Sequence, residues 1–197
     1  MTIAAAWRSA GEPRGAHALA RQLLSERRYH HSRGVAQQVA RLARLTDQPR
    51  EARRLLLACA WLHDVGYGLG PGELHSLAAA RALRHAGHET MARIVAHHSG
   101  SALAARLDGR PPVENEFPVP QGLDADLSAL LDIADLTTSP TGAAVTPGRR
   151  LLEMAERRGT ADARVRVLVD TVDRMRQDPD LRALVERVSG SPGALRA

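Results

Sequence analysis

Along this 197-residue chain apolar residues recur every three or four positions, and no alternating apolar run is long enough to make a strand. That spacing puts them on one face of a helix, so the chain is expected to be all-α. The 16 Gly and 11 Pro cut the pattern into short pieces. Residues 1–15, with Gly11, Pro13 and Gly15, read as an N-terminal arm, loose or ordered only on contact. Leu19, Leu23 and Leu24 then begin the helical spacing, and Val35, Val39, Leu42 and Leu45 share a face over 32–45. A helix is expected over 50–65, almost wholly apolar from Leu55 to Leu62, followed by a Gly-rich loop over 66–72. Further helices are expected over about 74–85, 89–98, 101–107, 124–136, 147–158 and 161–176, and one from Pro179. Thr146 before Pro147 reads as an N-cap followed by Pro in the first helical turn. The Pro-rich segments 108–122 and 137–145 read as loops.

Composition narrows the chemistry. All 27 basic residues are Arg, so a P-loop lysine, a Schiff-base lysine and a kinase-type lysine are excluded. The single cysteine, Cys59, excludes an intrachain disulfide and a Cys-rich zinc knuckle; inside an apolar run it reads as a buried small hydrophobe. The net charge of +5 and pI near 10.7 hint at nucleic acid, but Arg titrates so high that a small cationic excess raises the pI steeply. The Arg residues also lie among acids, as solvated helix faces do, so nucleic acid is not the expected partner. No apolar run reaches 18 residues and no basic start precedes an apolar stretch, so neither a membrane span nor a signal peptide is expected, and the location is read as cytoplasmic.

A functional centre must come from His, Asp, Glu, Ser or Arg. His63–Asp64 ends the apolar run, where burying an imidazole and a carboxylate is costly unless they are paired or hold a cation. Alone, the pair reads as well as a cap or a hydrogen-bonded couple. His31, His75, His97–His98 and Asp135 also fall at expected helix termini beside apolar residues, where short helices could converge on one cavity. Imidazole nitrogen with carboxylate oxygen suits Mn, Fe, Co, Ni or Zn rather than Ca. His30 reads as a surface or supporting residue, and His17, His85 and His88 as solvated. Asp132 stands one turn before Asp135. Trp61 reads as core, whereas Tyr67 could line a pocket. Arg28 and Arg81 could each reach a substrate phosphate or make a surface ion pair.

The order His31, His63–Asp64, Asp135 resembles the HD-domain superfamily of metal-dependent phosphohydrolases, whose signature is His, then His-Asp, then a distant Asp. Arg28–Tyr–His–His31–Ser–Arg–Gly–Val–Ala is similar to the family's first helix. Leu62–His63–Asp64–Val65–Gly66 is similar to its central motif, Ile94–Val–Ala–His97–His98–Ser to its His-pair helix and Ile133–Ala–Asp135 to its last. The Lys that often follows His-Asp is absent, as is the Gly-Tyr-Pro signature of the cyclic-di-GMP phosphodiesterases, so that subgroup is not expected.

The resemblance implies an HD-domain helical bundle over 16–140 and a C-terminal helical extension over 141–197 packed on the same domain. It implies His31, His63, Asp64 and Asp135 as primary ligands, with His63 and Asp64 at the catalytic centre. His75 and one or both of His97 and His98 would hold a second metal, or contact phosphate or water. The cofactor would be one or two divalent ions (Fe, Mn, Co, Ni or Zn), with Arg28, Arg81 and Tyr67 as substrate contacts. The activity implied is hydrolysis of a nucleotide or other small phosphate ester by metal-activated water. A non-enzymatic metal- or nucleotide-binding regulatory module and a di-iron oxygenase of the inositol-oxygenase type are the alternatives. A homodimer is left open.

Overall fold

A computed structural model describes residues 3–190, and their regular structure is helical: helices joined by short turns, with one isolated bridge between Thr138 and Ala144. The helices are α1 (Ile3–Arg8), α2 (Pro13–Leu23), α3 (Glu26–Leu45), α4 (Arg50–Leu62), α5 (His75–His85), α6 (Glu89–His97), α7 (Ser101–Leu107), α8 (Leu123–Leu136), α9 (Pro147–Arg158), α10 (Ala163–Gln177) and α11 (Pro179–Ser189). Among the described residues no helix is long and apolar enough to cross a membrane.

The apolar run at the end of α4 explains its position. A helix that is apolar on all sides must be surrounded. α2, α3, α6 and α8 pack around α4 and bury Leu56, Ala58, Cys59, Ala60 and Leu62 completely. α5 lies against α6, and their small residues Ala79, Ala80, Ala92 and Ala96 are also fully buried. The core continues through Leu127, Leu131 and Ile133 of α8 and the single Phe, Phe117. α9 to α11 close one side. Val172, Met175, Val185 and Val188 join the same apolar cluster. Their starts are capped: Thr146 Oγ1 accepts from Arg149 N, Asp162 from Arg164 N, and Asp178 from Asp180 N and Leu181 N.

Three boundaries differ from the sequence reading. Residues 3–15 are not a loose arm: α1, the turn after it and the start of α2 are ordered against the core, with Ala6 and Ala10 buried; residues 1 and 2 lie outside the described residues. α3 begins at Glu26, a turn and a half before the expected Ser32. Its first turns, Arg28 to His31, carry no apolar stripe because that face lines a polar cavity. α4 stops at Leu62 rather than at residue 65, so His63 and Asp64 follow its last turn and a 3₁₀ turn, Val65–Gly68, comes next.

Candidate metal centre

His63 and His98 stand directly after α4 and α6, where the last carbonyls of a helix lack N–H partners. Each ring fills that gap. His63 Nδ1–H donates to Ala60 O at 2.9 Å, and His98 Nδ1–H to Val95 O at 2.6 Å, both three residues back. His31, in α3, donates Nδ1–H to Ser139 O at 3.0 Å. With Nδ1 protonated, Nε2 of His63 and His98 is left with a lone pair, the form a metal ligand requires, whereas His31 Nε2–H donates to Asp135 and would give up that proton to a metal.

Those Nε2 atoms converge. His31 Nε2 is 2.8 Å from Asp135 Oδ1, on the last turn of α8. His75, the first residue of α5, places its Nε2 3.2 Å from His98 Nε2 and 3.4 Å from Asp64 Oδ1. His63 Nε2 lies 3.8 Å from Asp64 Oδ1. His31, His63 and His98 are each at most 2% exposed. Two overlapping donor triads result, His31–His63–Asp135 and His63–Asp64–His98, each with its ligand atoms within 4.8 Å of one another. His63 Nε2 is buried and makes no hydrogen bond among the described residues, which is costly for a polar atom unless a cation takes its lone pair. The donor set therefore fits a divalent transition ion.

The electrostatics agree. Burial pushes His63 and His75 below the usual imidazole range, His75 to about 3, so both rings are neutral and able to ligate. Burial alone would raise the Asp64 carboxyl, but His63, Arg28 and His75 outweigh it and hold the group well below the ordinary carboxylate range. Asp135 is held down likewise, chiefly by its bond to His31. Burial pushes Asp132 up to about 6.

A cavity of about 120 Å³ opens on this cluster. Arg28 donates Nη1 to Asp64 Oδ2 at 2.7 Å and lies 3.8 Å over the Tyr67 ring, which stacks on His75 at 4.2 Å. Arg28, His31, Asp64, Tyr67, His75 and Asp135 all line the cavity.

Two expected site residues are elsewhere. His97 Nε2–H donates to Phe117 O, 2.8 Å away, outside the cluster; adjacent helical residues point roughly 100° apart, so only His98 of the pair faces inward. Arg81 does not line the cavity. It binds Glu116 at 2.8 Å and also Glu73, because six positions beyond His75 is roughly 240° around α5. Nor are His17 and His88 merely solvated. His17 Nε2 meets Tyr29 Oη at 2.8 Å and packs on Trp61, and His88 Nε2 meets Trp7 O at 2.9 Å.

Other lining residues went unread in the sequence. Ser99, with φ of +52°, donates its N–H to Asp132 Oδ1 at 2.7 Å and its hydroxyl to Asp135 Oδ2. A left-handed Ser is uncommon and strained, and here both of its polar groups are engaged at the cavity wall. Arg150, Arg157, Arg158 and Arg164 line the same cavity from α9 and α10. Their only sequence signal is charge, which surface helices share.

Fold and site define a helical protein built around a His/Asp donor cluster. The HD-domain family model matches residues 28–139, more than half of the chain, and the chain belongs to the HD-domain superfamily of metal-dependent phosphohydrolases. HD domains bind divalent metals, and the donor cluster lies within the matched segment. Comparisons with curated proteins and with solved structures returned no match.

Proposed function

We propose that the protein hydrolyses a phosphate ester of a nucleotide or another small molecule at a centre of one or two divalent transition ions. The observation that carries this is the convergence of His31, His63 and His98 Nε2 with Asp64 and Asp135, every Nδ1 being turned to a backbone carbonyl. With His75 the set offers six donor residues, more than one tetrahedral ion uses. Bound ions would supply a water of lowered pKa and neutralise charge on the phosphoryl oxygens.

The chain's own residues would do the rest. Arg28 holds Asp64 and presents its remaining N–H groups to the cavity, where a guanidinium can take two phosphate oxygens at once. Ser99 fixes Asp132 and Asp135 relative to each other. Tyr67, stacked on His75 and under Arg28, shapes the wall against which the ester's organic part would rest.

The test is a panel of phosphomonoesters and diesters assayed with Mn, Fe, Co and Ni. Turnover should require metal and fall at least about 100-fold in Asp64→Ala, since even a partner outside the ligand shell costs 10–100-fold. No metal-dependent turnover on the panel, or turnover that survives this substitution, overturns the proposal. Dioxygen uptake by iron-loaded protein without phosphate release would replace it with the oxygenase reading.

A further inference from the structure

The arginines of α9 and α10 lie beyond the segment that matches the family, yet they form part of the cavity wall. Among the described residues, Arg150, Arg157, Arg158 and Arg164 share two carboxylates. Glu153 takes Arg150 and, at 3.2 Å, Arg157; Asp162 takes Arg158 at 3.7 Å and Arg164 at 3.6 Å. One oxygen of Asp162 is already committed to the Arg164 backbone N–H as the cap of α10. Among the described lining residues the carboxylates are Asp64, Asp132 and Asp135, all in or beside the donor cluster. The α9–α10 wall therefore keeps an excess of positive charge facing the cavity. Burial, with Arg150 and Arg158 close by, depresses the Arg157 guanidinium below its usual range, as expected where cations crowd without enough counter-charge.

We propose that this wall is a second anion subsite, and that the substrate carries two phosphate groups, one over the His/Asp cluster and one on Arg158 and Arg164 with Arg157 beside them. This rests on the phosphohydrolase reading for the first phosphate and on the arginine wall for the second. A single phosphate at the cluster would already meet Arg28 and the bound ions, leaving the four arginines of α9 and α10 without a role. Guanidinium groups suit the task because their planar fork holds a phosphate through two parallel bonds. The cavity, about 120 Å³, is small against the roughly 300–1,000 Å³ of drug-sized sites, so the two phosphates must be close together. Leu136, Met154, Val167 and Leu168 supply apolar lining of the same cavity. The substrate class is thus a compact diphosphate or bisphosphate.

Two measurements test this, on wild type, on Arg158→Gln/Arg164→Gln and on Arg182→Gln, an exposed arginine outside the cavity. The first is calorimetric titration of Mn-loaded protein at about 0.15 M salt with methylenediphosphonate, a non-hydrolysable pyrophosphate analogue, and with orthophosphate. The diphosphonate is expected to bind at least tenfold tighter than orthophosphate. The double variant should lose that advantage while keeping its helical content, and Arg182→Gln should keep it. Equal affinity for the two anions, or an advantage that persists in the double variant, overturns the subsite. The second is the ratio of kcat/KM for a bisphosphate to that for the matched monophosphate in metal-loaded enzyme, expected to fall at least tenfold in the double variant. Metal-dependent turnover with no preference and no change in this ratio overturns the subsite and leaves the phosphohydrolase reading standing. Absence of turnover, with the advantage of the diphosphonate still lost in the double variant, overturns the phosphohydrolase reading and supports the subsite.

Discussion

One residue of the His97–His98 pair is selected by helix geometry alone. α6 ends at His97, and the residue after it can drop its Nδ1–H onto the unpaired Val95 carbonyl, which aims its Nε2 at His63 and His75. His97, one step round the helix, meets Phe117 O instead. His98→Gln is therefore expected to lower bound metal per chain, measured by elemental analysis after equilibration at limiting ion, with affinity falling at least about tenfold. His97→Gln should keep wild-type stoichiometry; equal loss in both variants would contradict the assignment. Asp132 supports a pH prediction of opposite sign to its neighbours. Its folded value near 6 lies above the unfolded Asp value near 3.9, so the native state holds a proton that the unfolded chain releases, and stability is lost as pH rises from about 4 to 6. Asp64 and Asp135 are depressed, so their contribution is present above about pH 4 and lost as pH falls below it. In metal-free protein Asp132→Asn should gain about 1–3 kcal/mol over wild type at pH 7 and little or nothing at pH 4, read from urea midpoints. A gain that does not change with pH would count against it.

At the scale of elements, what could be read in the sequence followed the apolar stripes. The start of α4, the span of α8 and the Thr146–Pro147 start of α9 stand where spacing and caps put them, because their faces meet the core. The start of α3 was not legible, since Arg28 and His31 turn toward the polar cavity and break the stripe. Close backbone approaches were hidden too, because they depend on elements distant in sequence. Gly34 of α3 is one: a Cβ there would stand 2.4 Å from Gly142 O, in the loop whose Ser139 carbonyl orients His31. Gly66 is the other. A Cβ at Gly66 would lie 1.8 Å from His75 O and 2.9 Å from His75 Cα, so the turn after Asp64 and the first residue of α5 touch through backbone alone. Gly66→Ala must push α5 away and carry His75 with it. The expected cost is about 1–3 kcal/mol in a denaturant titration, together with weaker metal binding, as overpacking in a close-fitting interior predicts. A variant as stable as wild type would mean that this contact does not set the position of α5.

For the whole molecule, the donor cluster joins elements far apart in the chain: α3 through His31, the end of α4 through His63 and Asp64, α5 through His75, the end of α6 through His98 and α8 through Asp135. The sequence disclosed those residues by their order, but not the α9–α10 wall, whose arginines pair with carboxylates a few positions away as surface arginines do. A ligand that binds the native state alone stabilises it by RT ln(1 + [L]/Kd), about 2.7 kcal/mol at 100 times Kd. For a chain of this length each kcal/mol raises Tm by about 2–4 °C, so saturating Mn, Fe, Co or Ni should raise Tm by roughly 5–11 °C over chelator-treated protein. Chelator should reverse the shift. Lowering the pH from 7 toward 5 should shrink it, because protonating His31 removes the lone pair a metal needs; Asp135 and Asp64 hold that imidazole above its ordinary value despite its burial, so proton and ion compete there. Asp64→Ala should shrink the shift further still, because the His63–Asp64–His98 triad loses its carboxylate and Arg28 is left unpaired beside it. A folded protein whose Tm does not move with any of these ions would show that the converging histidines are held together by packing and hydrogen bonds alone.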